Sequence, residues 1–190
     1  MFQMQDEIGV MASIRPEWCR LILSGIKTVE IRKTAPNLKT PFKTWIYCTS
    51  TGSNRLFNRE LRKDIAAWNR EKWGERKGRV IGEFTCDRID KLYYDSDIQY
   101  GIDYPNDYGF KIMETSRLTL KEISDYFNGK DGYGWHISDL IVYRRPLEIS
   151  EFIRPCSTPE QCEGCEKLII NYGCAQKIQR PPQSWCYAQR

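Results

Sequence analysis

A chain of 190 residues, 41% apolar and 28% charged, has the length of one domain and the composition of a soluble globular protein. No run approaches the roughly 20 apolar residues of a membrane span, and residues 1–7 lack the basic head and apolar stretch of a secretory leader, so a cytoplasmic location is expected. The net charge of +4 is uneven: residues 55–79 hold nine Lys or Arg against four acids, a balance of +5 that leaves the remainder at −1.

Residues 8–14 read as a first strand. Pro16 then opens a short helix, because its missing N–H costs nothing at the first helical position. Trp18, Leu21 and Ile22 make one apolar face of that helix, and Gly25 stops it. Residues 27–32 alternate strictly. Val29 and Ile31 face one way while Thr28, Glu30 and Arg32 face the other, so one side of this strand is polar and charged. Residues 42–50, rich in β-formers, are a third strand. A long basic helix is expected from Ser53-Asn54 onward, with Leu56, Leu61, Ile65 and Trp68 on its core face. Its Arg59, Arg62 and Lys63 suit the phosphates of a nucleic acid, or simply a solvated face.

Residues 78–86 form another strand, in which Gly82 signals a bulge or a close backbone approach. Residues 95–112, rich in Asp, Tyr, Gly and Pro, read as a long irregular loop. Thr119 and Glu122 make a capping box before a helix with Leu120, Ile123 and Phe127 toward the core, ended by Gly129. A strand of mixed character follows over 134–143, then segments at 147–153 and 183–188. Strands outnumber helices and no βαβαβ alternation appears, which points to an α+β chain: a small barrel or curled sheet with two or three helices outside.

Cysteine usage adds one feature. Cys156, Cys162, Cys165 and Cys174 give C-x5-C-x2-C-x8-C, and the Cys162-Glu163-Gly164-Cys165 knuckle lets two thiolates reach one ion. Four thiolates with no open position describe a structural zinc site, with an iron–sulfur cluster as the alternative and Cys186 as a substitute for Cys156. Cys19, Cys48 and Cys86 lie within regular elements and read as small buried hydrophobes. The chain is thus one domain over residues 1–190, with 154–180 a cysteine-rich zinc-binding insertion.

The ordered blocks resemble the ASCH family. They are Ser24-Gly25-Ile26-Lys27-Thr28-Val29-Glu30-Ile31-Arg32, Trp45-Ile46-Tyr47-Cys48-Thr49-Ser50, Gly78-Arg79-Val80-Ile81-Gly82-Glu83-Phe84 and Gly134-Trp135-His136-Ile137-Ser138. The ending Arg180-Pro181-Pro182-Gln183-Ser184-Trp185-Cys186-Tyr187 is similar to longer members in bacteriophage and bacterial genomes. The resemblance covers about residues 8–153 plus the last ten and implies a PUA-like barrel acting on RNA or modified nucleosides. Some members are amidohydrolases that remove an acyl group from the N4 amine of cytidine with a Lys, a Thr and a Glu, and a ribonuclease has been assigned. Lys27 stands at the Lys position, but the hydroxyl expected two residues beyond Thr28 is replaced by the carboxylate of Glu30.

Lys27 and Glu30 are therefore candidates either for catalysis or for binding, as a cation for phosphate and a carboxylate accepting from a base N–H; a structural Lys27–Glu30–Arg32 network is the competing reading. Trp135, after Gly132 and Gly134, is a candidate for stacking on a base or for the core, and His136, the single histidine, lies on the opposite face. Thr28, Arg32, Ser50 and Ser138 complete the expected cleft. The partner expected is RNA, another single strand or a nucleotide, with a host or other protein partner as the alternative.

Overall fold

A computed structural model describes residues 8–50, 74–97, 102–103, 108–155 and 176–190. Strand β1 (Gly9–Ile14) is buried on both faces, as its unbroken Val10-Met11-Ala12 run requires, and it lies inside a five-stranded sheet. There it pairs in parallel with β3 (Phe42–Cys48) and antiparallel with β11 (Trp185–Ala188). Beyond β3 come β4 (Arg79–Cys86) and the edge strand β8 (Ser138–Leu147). The parallel pairing of β1 and β3 is made possible by the crossover through α1 (Pro16–Leu23) and β2 (Val29–Arg32).

A second sheet has the order β2-β7-β5-β6, with β5 at Ile89–Tyr94, β6 at Ile102–Asp103 and β7 at Gly132–His136. A two-residue ladder of β9 (Ile153–Arg154) and β10 (Gln176–Lys177) stands apart. Helices α2 (Tyr108–Ser116) and α3 (Leu120–Phe127) cover one face of the second sheet. The expectation of a strand-rich domain with two or three helices holds in a sheet-rich core with three α-helices among the described residues. Among the described residues the strands form a five-stranded sheet, a four-stranded sheet and the two-stranded ladder, with no single closed ring of hydrogen bonds.

Three apolar layers hold these parts. Val10, Ile14, Ile46, Phe84 and Trp135 lie in the central layer. Met11, Trp45, Val80 and Phe152 cover the other face of the large sheet. Val29, Ile31, Leu92, Ile112, Ile123 and Phe127 pack between the second sheet and its helices. Cys19, Cys48 and Cys86 are fully buried in the central layer, as expected of structural thiols.

Several local expectations are met in detail. Thr119 accepts from the Glu122 N–H while Glu122 accepts from the Thr119 N–H at 2.7 Å. That helix ends on Asn128 and Gly129, both in the left-handed region. Gly82 sits at a register shift where an added Cβ would press on the Ile141 carbonyl. The reading of 95–112 as one loop is corrected: β6 and the first residues of α2 fall within it. The Pro- and Asp-rich stretch hid them, and Ile112, which anchors α2, is one apolar residue in a weakly periodic helix. No helix among the described residues is long and apolar enough to cross a membrane.

Candidate functional site

A pocket of about 650 Å³ opens where β1 ends, α1 begins, β2 runs along its edge and the 181–184 segment crosses. This volume is in the usual range for a small-molecule site. Strand alternation explains its floor. Val29 and Ile31 point into the helix-covered layer, so Glu30 and Arg32 must point the other way. Both line the pocket, with Lys27 beside them.

These three groups form one buried network. The Glu30 carboxylate, with its side chain 10% exposed, has one oxygen 3.3 Å from Lys27 Nζ and the other 3.2 Å from Arg32 Nη2. Lys27 also donates to the carbonyls of Val29 and Ser116, each at 2.8 Å, so its three N–H groups meet three acceptors. Burial pulls the Lys27 ammonium below its ordinary pKa, and Glu30 opposes that shift. Arg32 donates through Nη1 to the Ser184 carbonyl at 3.0 Å and its hydroxyl at 3.2 Å, and through Nη2 to the Ser13 carbonyl at 3.0 Å. Arg32 Nε is buried with no hydrogen-bond partner among the described residues.

The walls are aromatic and polar. Trp18 comes from α1, with Lys27 Nζ 5.4 Å from its ring centroid, and Tyr126 comes from α3. Tyr126 is 40% exposed, with Lys33 Nζ 5.0 Å from its ring centroid. Burial pushes its phenol pKa up, while Arg32 and Arg15 act to lower it and Glu30 to raise it. Arg15, Ser50 and Gln183 are exposed residues of the lining. Ser13 fastens the crossing segment by donating to the Pro182 carbonyl at 2.6 Å and to the Ser184 carbonyl from its backbone at 2.8 Å.

Of the residues expected in the cleft, Lys27, Glu30, Arg32 and Ser50 line it. Thr28, Trp135 and Ser138 do not. Thr28 precedes the ladder of β2 and is exposed, its backbone N–H bound to the Thr115 carbonyl at 2.9 Å, so strand parity does not carry it inward. Trp135 is opposite Glu30 in the β2–β7 register and shares its face, but one strand deeper, where that face meets the central core. It is 0% exposed and packs against Phe42 and Trp185 at 6.0 Å each, so stacking on a base is excluded for it. Ser138 donates to the Thr85 carbonyl at 3.0 Å and secures β8 to β4.

His136 lies on the other face of β7, 2.6 Å from Asp90. The glycines before Trp135 make room for core side chains rather than a ligand: a Cβ on Gly132 would overlap Phe127 of α3, and one on Gly134 would lie 3.1 Å from Val29 of β2 and 3.2 Å from Ile112 of α2. Arg59, Arg62, Lys63 and the four cysteines Cys156, Cys162, Cys165 and Cys174 lie outside the described residues.

The ASCH domain model matches residues 13–107, half of the chain. The chain belongs to the ASCH family. Most of the floor of this ASCH pocket, from Ser13 through Arg32, lies inside the matched span, whereas Tyr126 and the 181–184 wall lie beyond it. Solved structures similar to this ASCH chain include an ASCH protein from Zymomonas mobilis, at 20% identity over 94% of this chain and 86% of that one, with a TM-score of 0.48. A single-residue variant of the same protein matches at 20% identity over 96% and 89%, also with a TM-score of 0.48. No curated protein sequence matches the chain.

Trp18, Tyr126, Arg15 and the 181–184 segment were not singled out as site residues from the sequence. Trp18 sits at a helical spacing that reads as core, and Tyr126 adjoins the core residue Phe127. A usable signal was present only for the last segment, where two prolines stiffen the chain just before a strand.

Proposed function

We propose that this domain, of a PUA-like family generally thought to bind RNA, holds one unpaired base of RNA, or a nucleotide or modified nucleoside, in the pocket over Glu30. The supporting observation is the Glu30 carboxylate, buried between two cations and facing a pocket with aromatic walls. A carboxylate so held stays aligned and retains lone pairs for a planar N–H donor. Duplex bases are stacked and paired, so an unpaired base is the form that fits. In calorimetric titrations with nucleosides and short single strands, Tyr126→Ala should weaken binding about 5- to 150-fold, the loss of one base–aromatic stack. Glu30→Gln should change which base is preferred. Wild-type affinity in Tyr126→Ala would remove the stacking role.

A hydrolytic reading, deacylation of an acylated cytidine or cleavage of RNA, draws support from the depressed Lys27 pKa. Binding is favoured because all three N–H groups of Lys27 already meet protein acceptors. Release of acetate from an acylated cytidine, abolished in Glu30→Gln, would reverse that preference. The basic residues Arg59, Arg62 and Lys63 would add salt-dependent affinity for any strand. Failure to bind any nucleoside or strand would leave a protein-interaction role.

We also propose structural zinc at Cys156, Cys162, Cys165 and Cys174, on the strength of their spacing and a donor set of four thiolates. The pairing of β9 with β10 sets Arg154 beside Gln176, so the intervening chain leaves and returns at one place. Purified protein should carry about one equivalent of zinc, lost in a Cys162→Ser, Cys165→Ser double variant. Folded, zinc-free protein from zinc-supplemented growth would refute the site.

A further inference from the structure

We infer that Arg15 is the phosphate-binding group of the pocket, so that the preferred ligand is a nucleotide unit with its base over Glu30 and its phosphate at the rim. This rests on the base-binding reading above and adds the class of ligand. The charged lining residues are distinguished by which of them already have partners. Lys27 has three acceptors for its three N–H groups, and both terminal nitrogens of Arg32 are engaged. Neither presents a free fork to an incoming anion.

The acidic lining residues are partnered as well. Asp125 is 2.8 Å from Lys121, and Glu122 accepts from the Thr119 N–H and hydroxyl at 2.7 and 2.9 Å. Arg15 differs: its guanidinium makes no hydrogen bond or ion pair among the described residues, and it is exposed at the rim. Its backbone, by contrast, is fixed. Pro16 restricts the residue before it to extended geometry, seen as φ −68° and ψ 148°, and the Arg15 carbonyl accepts from Trp18 and Cys19. A fixed backbone carrying a guanidinium that is unpaired among the described residues suits bidentate capture of phosphate. The exposed Ser50 hydroxyl and Gln183 amide of the same lining can complete the shell.

The test compares the four nucleosides, their 5′- and 3′-monophosphates and their dinucleotides on wild type, Arg15→Gln and Arg15→Lys, at low and moderate salt. In wild type the phosphate should improve affinity about 10- to 100-fold, the range of a charge-assisted contact. Arg15→Gln should reduce that gain, taken as the ratio of nucleotide to nucleoside affinity within the same variant, to less than about two-fold, and Arg15→Lys should restore part of it. The two monophosphate series and the dinucleotides then distinguish a terminal phosphate from a backbone diester. An undiminished phosphate gain in Arg15→Gln overturns the assignment. Nucleoside binding with no phosphate gain in wild type also overturns it but leaves the base-binding reading intact. No binding of any nucleoside or nucleotide overturns both.

Discussion

Lys27→Met should destabilise the fold by about 3–5 kcal/mol, the cost of removing one partner from a buried, hydrogen-bonded charge network. The substitution removes the ammonium 5.4 Å from the Trp18 ring centroid, and leaves the carbonyls of Val29 and Ser116 without this donor and Glu30 with one cation instead of two. Each orphaned carbonyl adds its own desolvation penalty. Guanidinium unfolding should show the midpoint falling with little change in slope. The exposed pair Lys121–Asp125 is the control, where Lys121→Met should cost no more than about 0.5 kcal/mol. A Lys27→Met protein as stable as wild type, with lower affinity for anions, would make Lys27 a ligand contact instead.

Trp135→Ala should cost a similar amount, about 3–5 kcal/mol, through the cavity it opens in the central core. The ring is fully buried between Phe42 and Trp185, and its loss removes an aromatic contact from each. Thermal unfolding with and without nucleotide separates this role from stacking on a base. Trp135→Phe should recover much of the stability and keep wild-type affinity. A well-folded Trp135→Phe with binding reduced more than ten-fold would restore Trp135 to the ligand side.

The polar face of β2 was legible because alternation is a local property: Val29 and Ile31 against Glu30 and Arg32 needs no knowledge of neighbours. The capping box of α3 and the bulge at Gly82 were legible for the same reason. Trp135 was not, since whether a strand face meets solvent or core depends on what lies across it, here the pairing of Glu30 with Trp135 and the packing of Phe42. The pocket walls failed on the same ground. Arg15, Trp18, Tyr126 and Ser184 are brought together by contacts between distant parts of the chain, such as Arg32 with Ser184 and Ser13 with Pro182. Local patterns say which residues share a face, and long-range register says which faces meet.

The position of β11 governs how the domain comes into being on the ribosome. β1 precedes β11 in the chain and is made before it, and one of its two edges is matched only by residues 185–188. Until those residues have emerged, the apolar Val10-Met11-Ala12 segment has a bare hydrogen-bonding edge, a natural target for chaperones that shield nascent strands. The 181–184 wall emerges just ahead of β11, so ligand cannot template the segments made before it. The ligand recognises only molecules in which β11 is already in place.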